Sequence, residues 1–468
     1  ICHGSHNLAE KYEVSKDGKV YTFTLRKGLT FHDGKPITAE DVKFSMDVIK
    51  IPEYNAAHMI PYFDGIEKIE VVDSHTIKFY LKDTYFKNFE SIATQWIIPK
   101  AIYSDVQGTK KMTRTLTCSG PYVLEKFDRG QVITLKRFPN WYGYSDPSWK
   151  SAYNFDRMNL RFYTEENVMI EHLKKGDLDF VELNPEAYTT RTNGPEWGTK
   201  VIKVKAENAV PRGYRFIAFN FEREMFKDKN VRLALAHMLN REDMVKKFQY
   251  NLSVLAKSPV DVTNEASPDI SPINFDPNVA KQLLAKAGWK DTDNDGILDK
   301  MINGKKTNLS FDLVFARKEL EKYFTVYKED LRKIGVNLEL KFLEWNGFLK
   351  LVDDGNFDTM SMGWSGTYDD DPKQIWHSTS AVAGGSNYGH YKNTEVDRLI
   401  DQGRNILDRS KRNQTFKQAY KKIAEDVPYI FLFNEKYSLY GKSNRVESQQ
   451  ATLKYDIGTD FWWPKARE

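Results

Sequence analysis

The chain has 468 residues, of which 40% are hydrophobic and 13% aromatic, and its 69 Lys and Arg against 65 Asp and Glu leave a formal charge of +4. That length suits about three domain-sized units or two large lobes, and the apolar and aromatic content excludes a disordered chain. There is no run of 18 apolar residues, which excludes a membrane-spanning helix, and the bases are interleaved with acids, which argues against a nucleic-acid-binding surface.

Tyr21–Arg26 alternates with period two and is predicted to be a strand. A turn follows at His32-Asp33-Gly34-Lys35-Pro36. Thr38 then caps a helix, with Asp41 in a near capping box and Val42, Met46 and Ile49 on its buried stripe. Ile66–Leu81 is predicted as a hairpin around Asp73-Ser74-His75, and Tyr122–Arg137 as another around Asp128-Arg129-Gly130. Thr164 caps a helix that ends near Gly176, and a strand starts at Asp179. After Pro211, Arg215–Asn220 is strand-like. Val231–Leu239 is an apolar helix, and Asn240 starts the next. Pro259, Pro268 and Pro272 mark a long loop. Val279–Ala287 is helical, Leu309–Phe315 a strand, Glu319–Ile334 a helix and Val336–Leu343 a strand. Phe348–Asp353 is a short helix and Phe357–Trp364 a strand. Two amphipathic helices, Glu395–Ile406 and Lys411–Glu425, precede the strand Tyr429–Phe433. The pattern is mixed α/β, without internal repeats.

Two cysteines, Cys2 and Cys118, cannot form a disulfide framework, although a single bridge is open to them. Cys2, His3 and His6 have the look of a metal site but lack a fourth ligand in register. Asp291, Asp293, Asp295 and Asp299 hold positions 1, 3, 5 and 9 of a calcium loop, with Gly296 at 6. Position 12 is Ile302, so the bidentate closing ligand is absent. Calcium and a solvated turn are the two readings, and the turn is preferred.

Several segments together resemble one family. Asn7-Leu-Ala-Glu-Lys-Tyr-Glu-Val-Ser-Lys-Asp-Gly-Lys-Val-Tyr-Thr-Phe-Thr-Leu-Arg26 is similar to its opening signature, followed by Phe31-His-Asp-Gly-Lys-Pro-Ile-Thr-Ala-Glu-Asp-Val42. Then come Ser119-Gly-Pro-Tyr122, Pro139-Asn-Trp-Tyr142, Val231-Arg-Leu-Ala-Leu235 with Asn240-Arg241, Phe357-Asp-Thr-Met-Ser-Met-Gly-Trp364 and Asn393-Thr-Glu-Val-Asp397. In order and spacing the chain resembles the extracytoplasmic solute-binding proteins of peptide-type ABC importers, the oligopeptide- and dipeptide-binding group (family 5). Members carry a further stretch before Leu8, so the N-terminal part of lobe one is expected to be missing here.

The resemblance implies a two-lobed α/β fold of the periplasmic-binding-protein type, with a discontinuous lobe one and a hinge. Residues 1–217 plus 436–468 are expected in lobe one and 218–435 in lobe two. Ligand is expected in an inter-lobe cleft, buried by hinge closure. The family's ligand-lining segment corresponds to Gly363, Trp364, Ser365, Gly366, Thr367 and Tyr368. Family peptide binders usually place an amine-anchoring aspartate where this chain has Thr367; Asp369, Asp370 or Asp371 is a candidate substitute, and a solvated turn before Pro372 is the preferred reading of that acid run. Two arginine positions of the oligopeptide binders fall on Val352 and Ser361. Trp345 matches a position that packs on ligand side chains, with core packing as the alternative. Asn387, in the family's mobile Gly384–Tyr388 loop, and Tyr214 complete the candidates.

The expected function is a non-enzymatic receptor that captures a small peptide or similar solute and delivers it to a membrane ABC permease. It is expected to be a monomer without nucleic-acid partner or cofactor, calcium excepted. The expected place is periplasmic, or lipid-anchored outside the cytoplasmic membrane. A sugar, metal chelate or haem is the alternative cargo. A carbohydrate-active hydrolase is a remote alternative, because no carboxylate pair is identifiable from spacing.

Overall fold

In the computed structural model, residues 8–107, 116–207, 213–367, 369–450 and 457–465 are described. Cys2, His3, His6 and Tyr368 lie outside them. The chain forms two compact units, Ile1–Ala209 with Ser438–Glu468, and Val210–Tyr437. The crossing therefore precedes the strand at Tyr214–Phe219, which lies wholly in the second unit.

The first unit contains β1 (Ala9–Val14), β2 (Val20–Leu25), β3 (Ile66–Asp73) and β4 (Thr76–Leu81), in the antiparallel order β1-β2-β4-β3. Phe23, Leu25, Ile77, Phe79 and Leu81 alternate onto one face and pack against Val42 and Met46 of the helix Ala39–Asp47. The Asp41 carboxylate accepts the Thr38 N–H at 2.9 Å, as the near capping box predicts. A second sheet holds β5 (Tyr122–Asp128), β6 (Val132–Arg137) and β7 (Arg157–Arg161). A third holds β8 (Phe180–Glu182), β9 (Val201–Glu207) and the returning strand Tyr437–Ser443. The helix ahead of β8 spans Glu166–Lys175 and starts from Glu165, one residue after the predicted Thr164 cap; Gly176 (φ 86°) ends it. Cys118 is a half-buried free thiol, and burial pushes its pKa up.

The second unit is built on five strands: β10 (Tyr214–Phe219), β14 (Ser310–Phe315), β15 (Asn337–Phe342), β16 (Thr359–Trp364) and β17 (Tyr429–Phe431). Between them in sequence lie β11 (Ser253–Leu255) and a hairpin of β12 (Asp299–Ile302) and β13 (Lys305–Asn308). β18 (Phe433–Glu435) pairs with β11. The sheet order is β15-β14-β16-β10-β17. β14 is parallel to β15 and β16, and β10 is antiparallel to β16 and β17. The carboxyl ends of four strands and the amino end of β10 thus share one edge. β10 and β17 are covered on both faces and nearly continuously apolar, whereas the edge strand β15 alternates with Glu339 and Lys341 outward; Ile217, Phe219, Leu313, Phe315 and Leu338 enter a core with Leu235, Leu284, Phe324 and Leu331 of the helices.

The two motif arginines serve this packing. Arg232 donates to the carbonyls of Phe226, Asp426 and Val427, and Arg241 to those of Ala256, Ile273 and Phe431. Each satisfies backbone acceptors that no helix or strand closes. Burial pushes both guanidinium groups down to about 10.

Candidate functional site

Open α/β sheets bind ligands beyond the carboxyl ends of their strands, where the ladder stops and backbone groups become free. In the second unit, that edge receives residues 316–319 after β14, 343–345 after β15 and, after β16, residues 365–367 and 369–371. Ser365 and Thr367 are exposed and Gly366 is half-buried.

Trp364 is half-buried and stacks on Tyr388, with ring centroids 5.9 Å apart and planes 3° from parallel. Behind it, Gly213 brings the start of β10 against the same backbone. A Cβ at Gly213 would lie 1.3 Å from the Trp364 carbonyl oxygen, so only glycine fits. Asn434 donates to the Gly213 carbonyl at 3.0 Å and fixes the approach.

Trp345 begins the helix Trp345–Asp353, three residues before the predicted start. It is 52% exposed and stacks on Phe348 at 5.8 Å, so core packing is not its role. Tyr214 and Asn387 are corrections to the expected site, because both turn inward. Tyr214 packs on Phe216 and Phe431, and burial pushes its hydroxyl pKa well up. The Asn387 amide donates to the Tyr391 carbonyl at 2.8 Å and accepts the Tyr391 N–H at 3.0 Å. Its amide is thereby committed to its own loop. Val352 and Ser361 are also buried, and the Ser361 hydroxyl donates to the Phe216 carbonyl.

The acids after Thr367 are neither a solvated turn nor a simple amine anchor. Asp369 pairs with Arg409 at 3.0 Å and Arg412 at 3.3 Å. Asp370 accepts the Thr367 N–H at 2.9 Å and its hydroxyl at 2.7 Å. Asp371, fully buried, pairs with Arg404 at 3.0 Å. An incoming ammonium at Asp369 would share a carboxylate whose Oδ1 two guanidinium groups already hold.

Residue patterns did not point to Gly213, Arg215 or Arg317. Arg215 pairs with Glu435 at 3.1 Å, and burial, then the charge of Arg317, pushes its pKa down. A charge inside the apolar run Tyr214–Phe219 was the available signal.

At the opposite edge, carboxylate oxygens of Asp291, Asp293 and Asp299 lie within 4.8 Å of one another. Asp295 is not part of that group; it accepts the Ile297 N–H instead. The Lys306 ammonium sits 2.5 Å from Asp293 and 3.4 Å from Asp299, so the loop brings its own cation. No helix among the described residues is long and apolar enough to cross a membrane.

The profile of bacterial extracellular solute-binding proteins, family 5 Middle, matches residues 5–386. The oligopeptide-binding protein AppA of Bacillus subtilis is 30% identical, over 98% of this chain and 83% of its own length. The heme-binding protein A of Haemophilus influenzae is 26% identical, over 90% of this chain and 77% of its own. The structure of AppA in complex with a nonapeptide superposes with a TM-score of 0.86 at 29% identity, covering 98% of this chain and 90% of that one. These relatives are binding proteins, two-lobed α/β in fold. With this profile matching more than half of its length, the chain belongs to the bacterial extracellular solute-binding proteins of family 5.

Proposed function

We propose that the chain is a receptor outside the cytoplasmic membrane, periplasmic or lipid-anchored, that captures a peptide and hands it to a membrane ABC permease without chemical turnover. The observation that carries this is the exposed end of β16 in a chain so similar to an oligopeptide-binding protein. An extended peptide gains affinity from main-chain hydrogen bonds and specificity from side-chain pockets. Ser365 and Gly366, with the Thr367 carbonyl, offer the former, and the Trp345 and Trp364 faces offer tolerant apolar area. Tyr214 and Asn387 are left out of the contact set. The Asp291–Asp299 turn is read as a turn whose Asp293 and Asp299 carboxylates already hold the Lys306 ammonium, not as a calcium site.

Calorimetry with one nonapeptide, free and N-acetylated, tests the reading. Thr367 is neutral and Asp369 is already paired, so acetylation is expected to cost less than ~1.4 kcal/mol, about tenfold in affinity. A loss of about a hundredfold or more would place a dedicated ammonium anchor in the site. Binding of haem but of neither peptide would move the cargo to that of the heme-binding relative. Cleavage of the peptide during the titration would refute a receptor without turnover.

A further inference from the structure

We propose that Asp369, Asp370 and Asp371 are positioning residues: together they hold the Ser365–Thr367 backbone in its binding conformation, and ligand residence depends on them through that backbone. The proposal rests on the reading of Ser365–Thr367 as the contact segment.

Three consecutive acids reach three different parts of the second unit. Asp371 turns into the interior, to Arg404 at the end of the helix Thr394–Arg404. It also accepts the Lys373 N–H at 3.0 Å, which fixes where the chain leaves the loop. Asp369 takes Arg409 and Arg412 from the first turn of the helix Arg409–Asp426. Arg412 is buried and also donates to the carbonyls of Ile406 and Leu407, closing the turn between the two helices. Arg409 reaches on to Glu265 at 3.2 Å, in the proline-marked loop. Asp370 folds back onto Thr367 and accepts from Asn264 of that same loop at 3.2 Å.

Among the described residues, the segment between β16 and Lys373 contains no helix or strand. Such a segment would lose conformational freedom on binding, and that cost weakens affinity unless it is met in advance. Arginine suits the task, because its planar fork holds a carboxylate at a fixed angle. The pairs are drawn from two helices and a distant loop, so they fix position as well as charge. The same arrangement accounts for a neutral residue at 367. An aspartate there would set its carboxylate against that of Asp370, which the Thr367 hydroxyl now contacts.

The test uses the full chain, a nonapeptide and the isosteric variant Asp369→Asn, which removes charge at a site 30% exposed. Dissociation is expected to accelerate about tenfold, with association nearly unchanged. Without peptide, acrylamide should quench Trp364 more strongly, read as the difference from Trp364→Phe. Asp369→Glu should restore both readouts, and Arg409→Gln should reproduce the loss. In the double variant Asp369→Asn with Arg409→Gln, the effects should not add. Unchanged dissociation in Asp369→Asn and Arg409→Gln overturns the proposal. Gly366→Val then shows which part failed. If that change weakens binding, the contact segment stands and the positioning role falls; if it has no effect, the contact segment itself was misread.

Discussion

Two acid-rich turns stand at opposite ends of the strands of one sheet. The Asp291–Asp299 turn lies at the amino edge, ahead of β14, and the Asp369–Asp371 run at the carboxyl edge, after β16. The first finds its partners in the same stretch of chain: Thr292 donates to Asp299, Gly296 to Asp291, and Lys306 supplies the cation. The second finds them on helices and a loop far away in sequence, at Arg404, Arg409, Arg412 and Asn264. Both runs look alike as text. What separates them is the distance to the partners: the first turn bonds within its own stretch of chain, whereas the second ties distant elements together.

The largest effect should come from breaking the distant pairing. Asp371→Ala leaves Arg404 buried without its carboxylate, and removing one partner of a buried pair costs roughly 3–5 kcal/mol. For a unit of this size that lowers Tm by on the order of 10 °C, measurable by calorimetry. A loss below about 1 kcal/mol, the range of surface pairs, would erase the contrast between the turns.

A smaller effect, with a pH signature, is expected at Asp299. The Thr292 N–H above all, then its hydroxyl and Lys306, hold the Asp299 carboxyl below the usual carboxylate range. A depressed pKa contributes stability that is fully present above the unfolded value of about 4 and is lost as pH falls through the folded one. Thermal melts of Asp299→Asn should therefore run closest to the parent at the acid end and fall below it at neutral pH. A constant gap across that range would remove Asp299 from the account.

The smallest effect should follow Lys306→Ala, whose partner Asp293 is half-exposed. Calcium should leave the parent's Tm unmoved and raise that of Lys306→Ala by mass action on the folded state. Asp293→Ala, added to that variant, should abolish the rise. A calcium-dependent rise in the parent would make the lysine a bystander and the turn a true cation site.

Much of the second unit was legible because its strands declare themselves locally. Ser310–Phe315, Asn337–Phe342 and Thr359–Trp364 fall where the apolar runs place them. Helix starts were less legible. Glu165 takes the cap position predicted for Thr164, and Trp345 opens a helix that the apolar pattern begins at Phe348, because its ring lies along the helix surface on Phe348. The site was legible only in part. Family likeness located the end of β16, but it could not show that Asn387 spends its amide on Tyr391 or that Asp369 meets two arginines. The requirement for glycine at 213 lies in the backbone of residue 364, which no local pattern encodes.

The β12–β13 hairpin has a practical consequence. Its two-residue connection, Asn303-Gly304, takes left-handed backbone angles at both positions (φ 51° and 78°), the geometry of the tightest hairpin turns. The ribbon stands at the amino edge, and beside its tip Met301 is 62% exposed. A thiol introduced at the neighbouring exposed Lys305 gives a point of attachment away from the carboxyl edge. Lys305→Cys, with both Cys2 and Cys118 replaced by Ser, would let the protein be coupled to a sensor chip in a single orientation, the end of β16 turned toward the flowing sample.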